Sequence, residues 1–309
     1  MANDGLTSAR KDAKARLRWV FVGSNGIRAG WSVLIFMAIL AAIGLAVHFA
    51  FHTKAASPPT IVPPRFLFVR ECGALAAVLA ATALMGWIEG RAVWSYGLAG
   101  PRPIANFVAG WLGGLFCLSL MIAVLYAGGY LAFDGLSLHG GQALGYGLAW
   151  LLVFLFVGLS EETFFRGYLQ STLARGIGFW PAAALLSLSF GAAHLGNGGE
   201  TPAGIAGVVV FGIVFCLLLW LSGSLWLGIG FHCSWDWAQS YLYGTADSGM
   251  IMLGHLFLTH AAGNHRISGG SAGPEASVLL IPVLLVGLLI MILVVRRFGL
   301  ANKKEAVLF

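Results

Sequence analysis

Charge is what this chain has least of. Only 10% of its 309 residues are Asp, Glu, Lys or Arg, and just twelve are acidic; a soluble domain carries about a quarter. With 59% hydrophobic residues and a mean hydropathy of +0.85, that shortage excludes an ordinary soluble enzyme or binding module. Cysteine is scarce too. Cys72, Cys117, Cys216 and Cys233 form no CxxC pair and fall inside or at the edge of apolar runs, so they read as buried apolar residues rather than a disulfide framework. Cys233 adjoins His232, but helix neighbours point about 100° apart and cannot act as a nucleophile–base dyad. No internal repeat is visible, which gives an inverted-repeat transporter no support.

What is present in quantity is apolar sequence in runs of about 20 residues, the length that crosses a hydrocarbon core of roughly 30 Å. Eight spans are expected: Gly30 to Phe51, Cys72 to Ile88, Phe107 to Leu131, Leu144 to Leu159 continuing beyond it, Trp180 to His194, Ala203 to Leu221, Leu225 to Leu242, and Val278 to Val295. The fold class is therefore an all-α polytopic membrane protein. Residues 1–28 form a basic N-terminal segment, 29–295 the membrane domain with its core at 144–243, and 296–309 a basic tail. The N-terminal segment is too basic for a cleaved signal peptide, and Ala9 to Val22 is expected to lie on the membrane surface. Eight spans put both tails on one side, together with 14 of the 18 Lys and Arg residues, which makes that side cytoplasmic. The net charge of +6 follows from this topology. It suits anionic lipid and does not point to nucleic acid.

Two loops stand out. His52 to Arg70 carries Pro58, Pro59, Pro63 and Pro64 and should be extended. Gly244 to Glu275 is long and holds His255, His260 and His265. A spacing of five puts these histidines on drifting helix faces with no carboxylate close in sequence, so a re-entrant or surface-lying lid is favoured over a metal site. The third span carries Gly110 and Gly114 four apart, a small-residue face suited to close helix packing.

The chemistry concentrates between Gly158 and Trp237. Glu161 and Glu162 lie side by side at the end of an apolar run, which is costly at membrane depth without a task. A Gly-rich break at Gly176 to Gly178 separates them from a second apolar run ending in His194. In an antiparallel hairpin about that break, Glu161 and His194 each lie about 16 residues, or roughly 25 Å, from the turn and so share a depth. Arg166, Gln170 and Arg175 are expected on an arm protruding into the cytoplasm. Phe190 and His194 are four apart, as are His232 and Asp236 in the seventh span, so each pair shares a helix face. Glu162 and Arg166 have the favoured order for an i,i+4 ion pair. Glu162 is thus the partnered carboxylate and Glu161 the free one, a candidate general base. The competing reading is a buried polar network worth about 1 kcal/mol or less per pair; convergence of the charged groups at one depth favours function.

Glu161-Glu162-x-x-x-Arg166, Phe190-x-x-x-His194 and His232-x-x-x-Asp236 resemble, in order and placement, the three motifs of the CPBP intramembrane proteases (CAAX-processing and bacteriocin-processing, also called ABI), which include CAAX prenyl endopeptidases. The resemblance implies a glutamate-dependent peptidase built on spans four, five and seven. Glu161 with His194 would activate a water, and His232 with Asp236 would stabilise the oxyanion. Glu162, Arg166 and Phe190 would support them. The family often has Asn where this chain has Asp236. An ionised Asp only accepts hydrogen bonds, so Asp236 must be protonated or must orient His232.

No cofactor is expected. The alternative is a zinc ion held by Glu161, His194, His232 and Asp236, a donor set suited to catalytic zinc; the usual HExxH helix is absent. The expected partners are the lipid bilayer and a membrane-associated protein or peptide, cleaved at a C-terminus or beside a lipid modification. The expected location is a prokaryotic plasma membrane. The reading from another class is a non-catalytic proton-coupled transporter, immunity protein or scaffold.

Overall fold

The structure, a computed structural model, describes residues 19–24, 26–51 and 61–300. It is an all-α membrane bundle. Its helices are α1 (Ala29–Phe51), α2 (Pro64–Glu89), α3 (Pro103–Ala127), α4 (Gly140–Glu162), α5 (Gln170–Ile177), α6 (Phe179–Ala193), α7 (Pro202–Ser222), α8 (Leu225–Trp237) and α9 (Leu280–Arg297). Between α4 and α5 the chain winds as a π-helix over Thr163–Leu169, so the three segments form one continuous rod. A second π-helical stretch, Ala238–Leu242, prolongs α8.

Among the described residues seven helices are long and apolar enough to cross a membrane. α8 with its π-helical extension is not one of them, but it runs through the bundle from the Gly97 carbonyl at Leu225 to the Leu256 N–H at Tyr241. Apolar side chains that water would reject stay on the outside, among them Leu34, Leu112, Leu188 and Leu289, as expected where lipid is the solvent. The outermost helix, α1, buries only Ser32 and Phe36.

One face of the bundle gathers the short connectors. Arg102 donates to the carbonyls of Phe298, at 3.2 Å, and Gly299. Leu225 N–H donates to Gly97 O at 3.1 Å, and Trp226 Nε1 to Leu98 O at 2.9 Å. The α5–α6 turn meets the start of α1, where Gly176 lies against Ala29. The two ends of the described helical bundle therefore share a face.

The opposite face carries a cap. Strand β3 (Ile61–Val62) pairs in parallel with β5 (Ile251–Met252), and β4 (Leu131–Leu136) pairs antiparallel with β6 (Phe257–Ala261). (The two-residue strands β1, Val22–Gly23, and β2, Gly26–Ile27, form a hairpin ahead of α1.) These pairings hold the long 244–275 loop over the bundle as a surface-lying lid. His260 Nδ1 lies 2.6 Å from Asp134 Oδ2 on β4. The histidine loop thus does have a carboxylate beside it, supplied by a distant strand and invisible in local spacing.

Two further expectations need correction. The proline-rich loop ends at Pro63, not Arg70, because Pro64 opens α2 at a helical position that needs no N–H; residues 52–60 lie outside the described residues. The rod does not stand clear of its neighbouring helices either. Arg166 and Gln170 are buried within the bundle, and Arg175 pairs with Glu89 at 2.9 Å. The π-helix and α5 are wrapped by α1, α2, α6 and α7 rather than standing clear of them. Of the surface segment expected at Ala9 to Val22, residues 9–18 fall outside the described part; Val20 O accepts from Trp31 Nε1 at 3.0 Å.

The most extensive packing in the bundle is between α3 and α8, and glycine makes it so. A Cβ on Gly110 would strike the Leu227 carbonyl, one on Gly114 the Phe231 carbonyl, and one on Gly230 the Phe107 carbonyl. The small-residue face of the third span therefore sets the seat of the helix that carries His232 and Asp236. Replacing Gly110 with Val should destabilise the protein by about 2–3 kcal/mol through overpacking against backbone that cannot yield. A thermal melt of the purified protein in detergent checks this; an unchanged midpoint would refute the close-packing account.

Candidate active site

Glu162 closes α4 with its side chain buried. Its Oε1 accepts from Arg166 Nη1 at 3.2 Å and from His232 Nδ1 at 3.1 Å. Arg166 is equally enclosed. It donates from Nη2 to the Gly212 carbonyl at 3.1 Å, and its guanidinium lies 4.5 Å from the Phe190 ring centroid, 5.1 Å from Phe215 and 5.5 Å from Phe165. A charge this deep persists only when paired and hydrogen-bonded. Here one carboxylate, one carbonyl and three ring faces do that.

His232 is fixed from both sides. Because Glu162 can only accept, Nδ1 carries the proton of that bond, and Nε2 is directed away from it. Phe215 stacks on the imidazole with centroids 4.7 Å apart and planes 23° apart. Nε2 then lies 3.7 Å from Glu161 Oε2 and 3.5 Å from Asp236 Oδ2. Both distances exceed a hydrogen bond, so the three groups converge at the cavity wall without being tied to one another.

His194 ends α6. Its Nδ1 is 2.8 Å from the Phe190 carbonyl, which can only accept, so Nδ1 donates and Nε2 keeps its lone pair. The Phe190 ring packs edge-on at 4.8 Å, as their spacing of four predicts. Glu161 differs sharply from its neighbour. Its Oε2 has no hydrogen-bond partner, and its side chain is 24% exposed against 1% for Glu162.

All four residues singled out in the sequence, Glu161, His194, His232 and Asp236, line one cavity of about 370 Å³ together with Phe190. Glu162 and Arg166 stand behind it. Among the described residues no three His, Cys, Asp or Glu side chains are grouped so as to hold a metal ion.

The cavity also has walls that sequence reasoning missed. Glu71 on α2 accepts from Ser160 Oγ at 2.6 Å and from Arg70 Nε at 2.9 Å. The cap contributes Asp247, Ser248 and Glu275. Ser240 Oγ donates to Asp247 at 2.8 Å and Ser248 Oγ to Glu275 at 2.9 Å. Gly249, at φ +79°, lets this turn lie against the Gly199 backbone where any Cβ would collide. Ser160 had a signal in being next to Glu161. Arg70 and Glu71 were hidden by the loop reading of α2, and Asp247 and Glu275 looked like solvent-facing loop acids. Burial raises the Glu275 carboxyl to about 8, reinforced by the charge of Asp247, and burial raises Asp247 to about 6.

The fold and this cavity define a class: a multi-pass membrane protein with an ionisable site enclosed by its own helices. Residues 143–238, which run from α4 into the π-helical extension of α8, match the family model described as type II CAAX prenyl endopeptidase Rce1-like. The resemblance drawn from the three motifs is borne out over that segment, and the matched family is one of peptide hydrolases. No curated protein matches the chain.

The cap acids make stability depend on pH with a definite sign. Glu275 binds its proton more tightly in the folded state, at about 8, than at its ordinary 4.5. Its favourable contribution is complete below about 4.5 and fades as pH rises through 8. The melting midpoint should therefore fall between pH 6 and pH 9, and Glu275→Gln should flatten that fall. An equal slope in wild type and variant would count against the cap carboxyl as its source.

Proposed function

We propose that the protein is an intramembrane endopeptidase in which Glu161 and His194 activate a water against the scissile carbonyl of a membrane-associated protein or peptide. The observation that carries this reading is the division of labour between adjacent carboxylates. Glu162 is consumed by Arg166 and His232, while Glu161 Oε2 is left without a partner on the cavity wall. Nε2 of His194 keeps its lone pair in the same cavity, which suits proton transfer. The water proton passes to Glu161, the resulting hydroxide adds to the carbonyl carbon, and the proton later goes to the leaving amine. The oxyanion would face Nε2 of His232, a donor in the imidazolium form, and the carboxyl of Asp236. The family match supports endopeptidase activity of the CAAX type in general. We place the protein in a prokaryotic plasma membrane with cytoplasmic termini, on the asymmetry of its Lys and Arg residues.

Glu161→Gln and His194→Ala should each lower peptide hydrolysis by about 10²–10⁴-fold with unchanged expression, insertion and melting. Full activity in both would sink the protease reading, and proton-gradient-driven solute flux in their place would identify a transporter. The metal-free version requires the wild-type rate to survive exhaustive chelation with zinc below stoichiometry; loss of activity restored by added zinc would favour the zinc alternative instead.

Asp236 separates two oxyanion schemes. If it donates its own proton, Asp236→Asn keeps a donor at that position and should retain most of the rate, while Asp236→Ala should not. Equal loss in both variants would assign Asp236 to orienting His232.

A further inference from the structure

We propose that Arg70 is a specificity-determining residue that holds the free α-carboxylate at the C-terminus of the substrate. This rests on the endopeptidase reading above and adds to it the residue that would read the chain end. Among the described residues lining the cavity, Arg70 is the one lysine or arginine. Its Nε is committed to Glu71 Oε1 at 2.9 Å, whereas Nη1 and Nη2 have no partner among the described residues. The side chain remains 47% exposed. A guanidinium held by one edge presents the other as a flat two-donor fork, the geometry that receives a carboxylate bidentately.

The mounting of Arg70 ties it to the proposed chemistry. Glu71 is 4% exposed, and both its oxygens are taken, Oε1 by Arg70 and Oε2 by Ser160 Oγ at 2.6 Å. It therefore serves as a bracket rather than a second acid for the substrate. Ser160 directly precedes Glu161, so a carboxylate seated on Arg70 is registered against the candidate base through two fixed hydrogen bonds. The rest of the cavity makes this seat exclusive. Under the cap its wall carries Asp236, Asp247 and Glu275, and offers no cation that would compete with Arg70 for a carboxylate. A cavity of about 370 Å³ closed on that side by the lid accommodates a short chain end more readily than a polypeptide passing through. An internal Asp or Glu side chain would need that through-passage; an α-carboxylate does not.

The test uses the full-length Glu161→Gln protein in nanodiscs of neutral lipid. Its probes are an N-acetylated apolar hexapeptide with a free C-terminal carboxylate and the same peptide as its C-terminal amide. The carboxylate form should bind about tenfold tighter, the weight of one charge-assisted hydrogen bond. Arg70→Gln should bring its affinity down to that of the amide and leave the amide unchanged, and Arg70→Lys should restore part of the difference. Equal binding of the two peptides, no binding of either, or a preference that survives Arg70→Gln would overturn the proposal. So would an effect of Arg70→Gln confined to nanodiscs containing anionic phosphatidylglycerol, which would make Arg70 a headgroup anchor. Cleavage of both peptides by the wild-type protein is scored separately. Discrimination without cleavage would retire the endopeptidase reading and leave the carboxylate seat standing; cleavage without discrimination would do the reverse.

Discussion

The buried contact between Glu162 and Arg166 is the constraint on which the site depends. Two charges removed from water are tolerable only when well partnered, and partnering them draws in three further helices. Arg166 reaches the Gly212 carbonyl on α7 and the rings of Phe190 on α6 and Phe215 on α7. Glu162 takes the Nδ1 proton of His232 on α8. Satisfying this pair therefore clamps α4, α6, α7 and α8 about one point and turns Nε2 of His232 toward the cavity. Glu161, one residue earlier, is left over because the pair needs only one carboxylate. Its freedom is a consequence of its neighbour's commitment.

Helix contact sets the second constraint. The α3–α8 interface admits no Cβ at Gly110, Gly114 or Gly230, so α8 sits close to the bundle axis and holds His232 and Asp236 at the cavity wall. The cap then closes the cavity with the carboxylates of Asp247 and Glu275. A site assembled this way has ionisable groups on its helix walls, two carboxyl groups in its roof and one arginine on α2. That distribution of charge has more to say about orientation of a bound chain than about overall attraction.

Much of this was legible along the chain. The apolar runs and the i,i+4 pairs Glu162/Arg166, Phe190/His194 and His232/Asp236 follow from hydropathy and helix periodicity, and the observed helices place the pairs as spacing demands. Other features were hidden for definite physical reasons. The π-helix at Thr163–Leu169 arises where tertiary contacts demand more residues per turn, which no local pattern announces. Arg166 and Gln170 looked solvent-exposed because polar residues near a turn usually are, whereas their partners come from α6 and α7. Glu71 lay behind four prolines that pointed to a loop, although Pro64 stands at the first helical position and starts a helix there.

The sequence by itself determined the solvent, the all-α class and which ionisable groups had to lie within the apolar helices, because hydropathy and helix period are local properties. Only the tertiary structure decided which carboxylate was free, which nitrogen of each histidine faces the cavity, and that Asp247, Glu275 and Arg70 belong to the same enclosure. Those outcomes depend on hydrogen bonds and packing between segments as distant along the chain as those of Arg70 and Glu275, and the local patterns of a sequence do not record which distant segments meet.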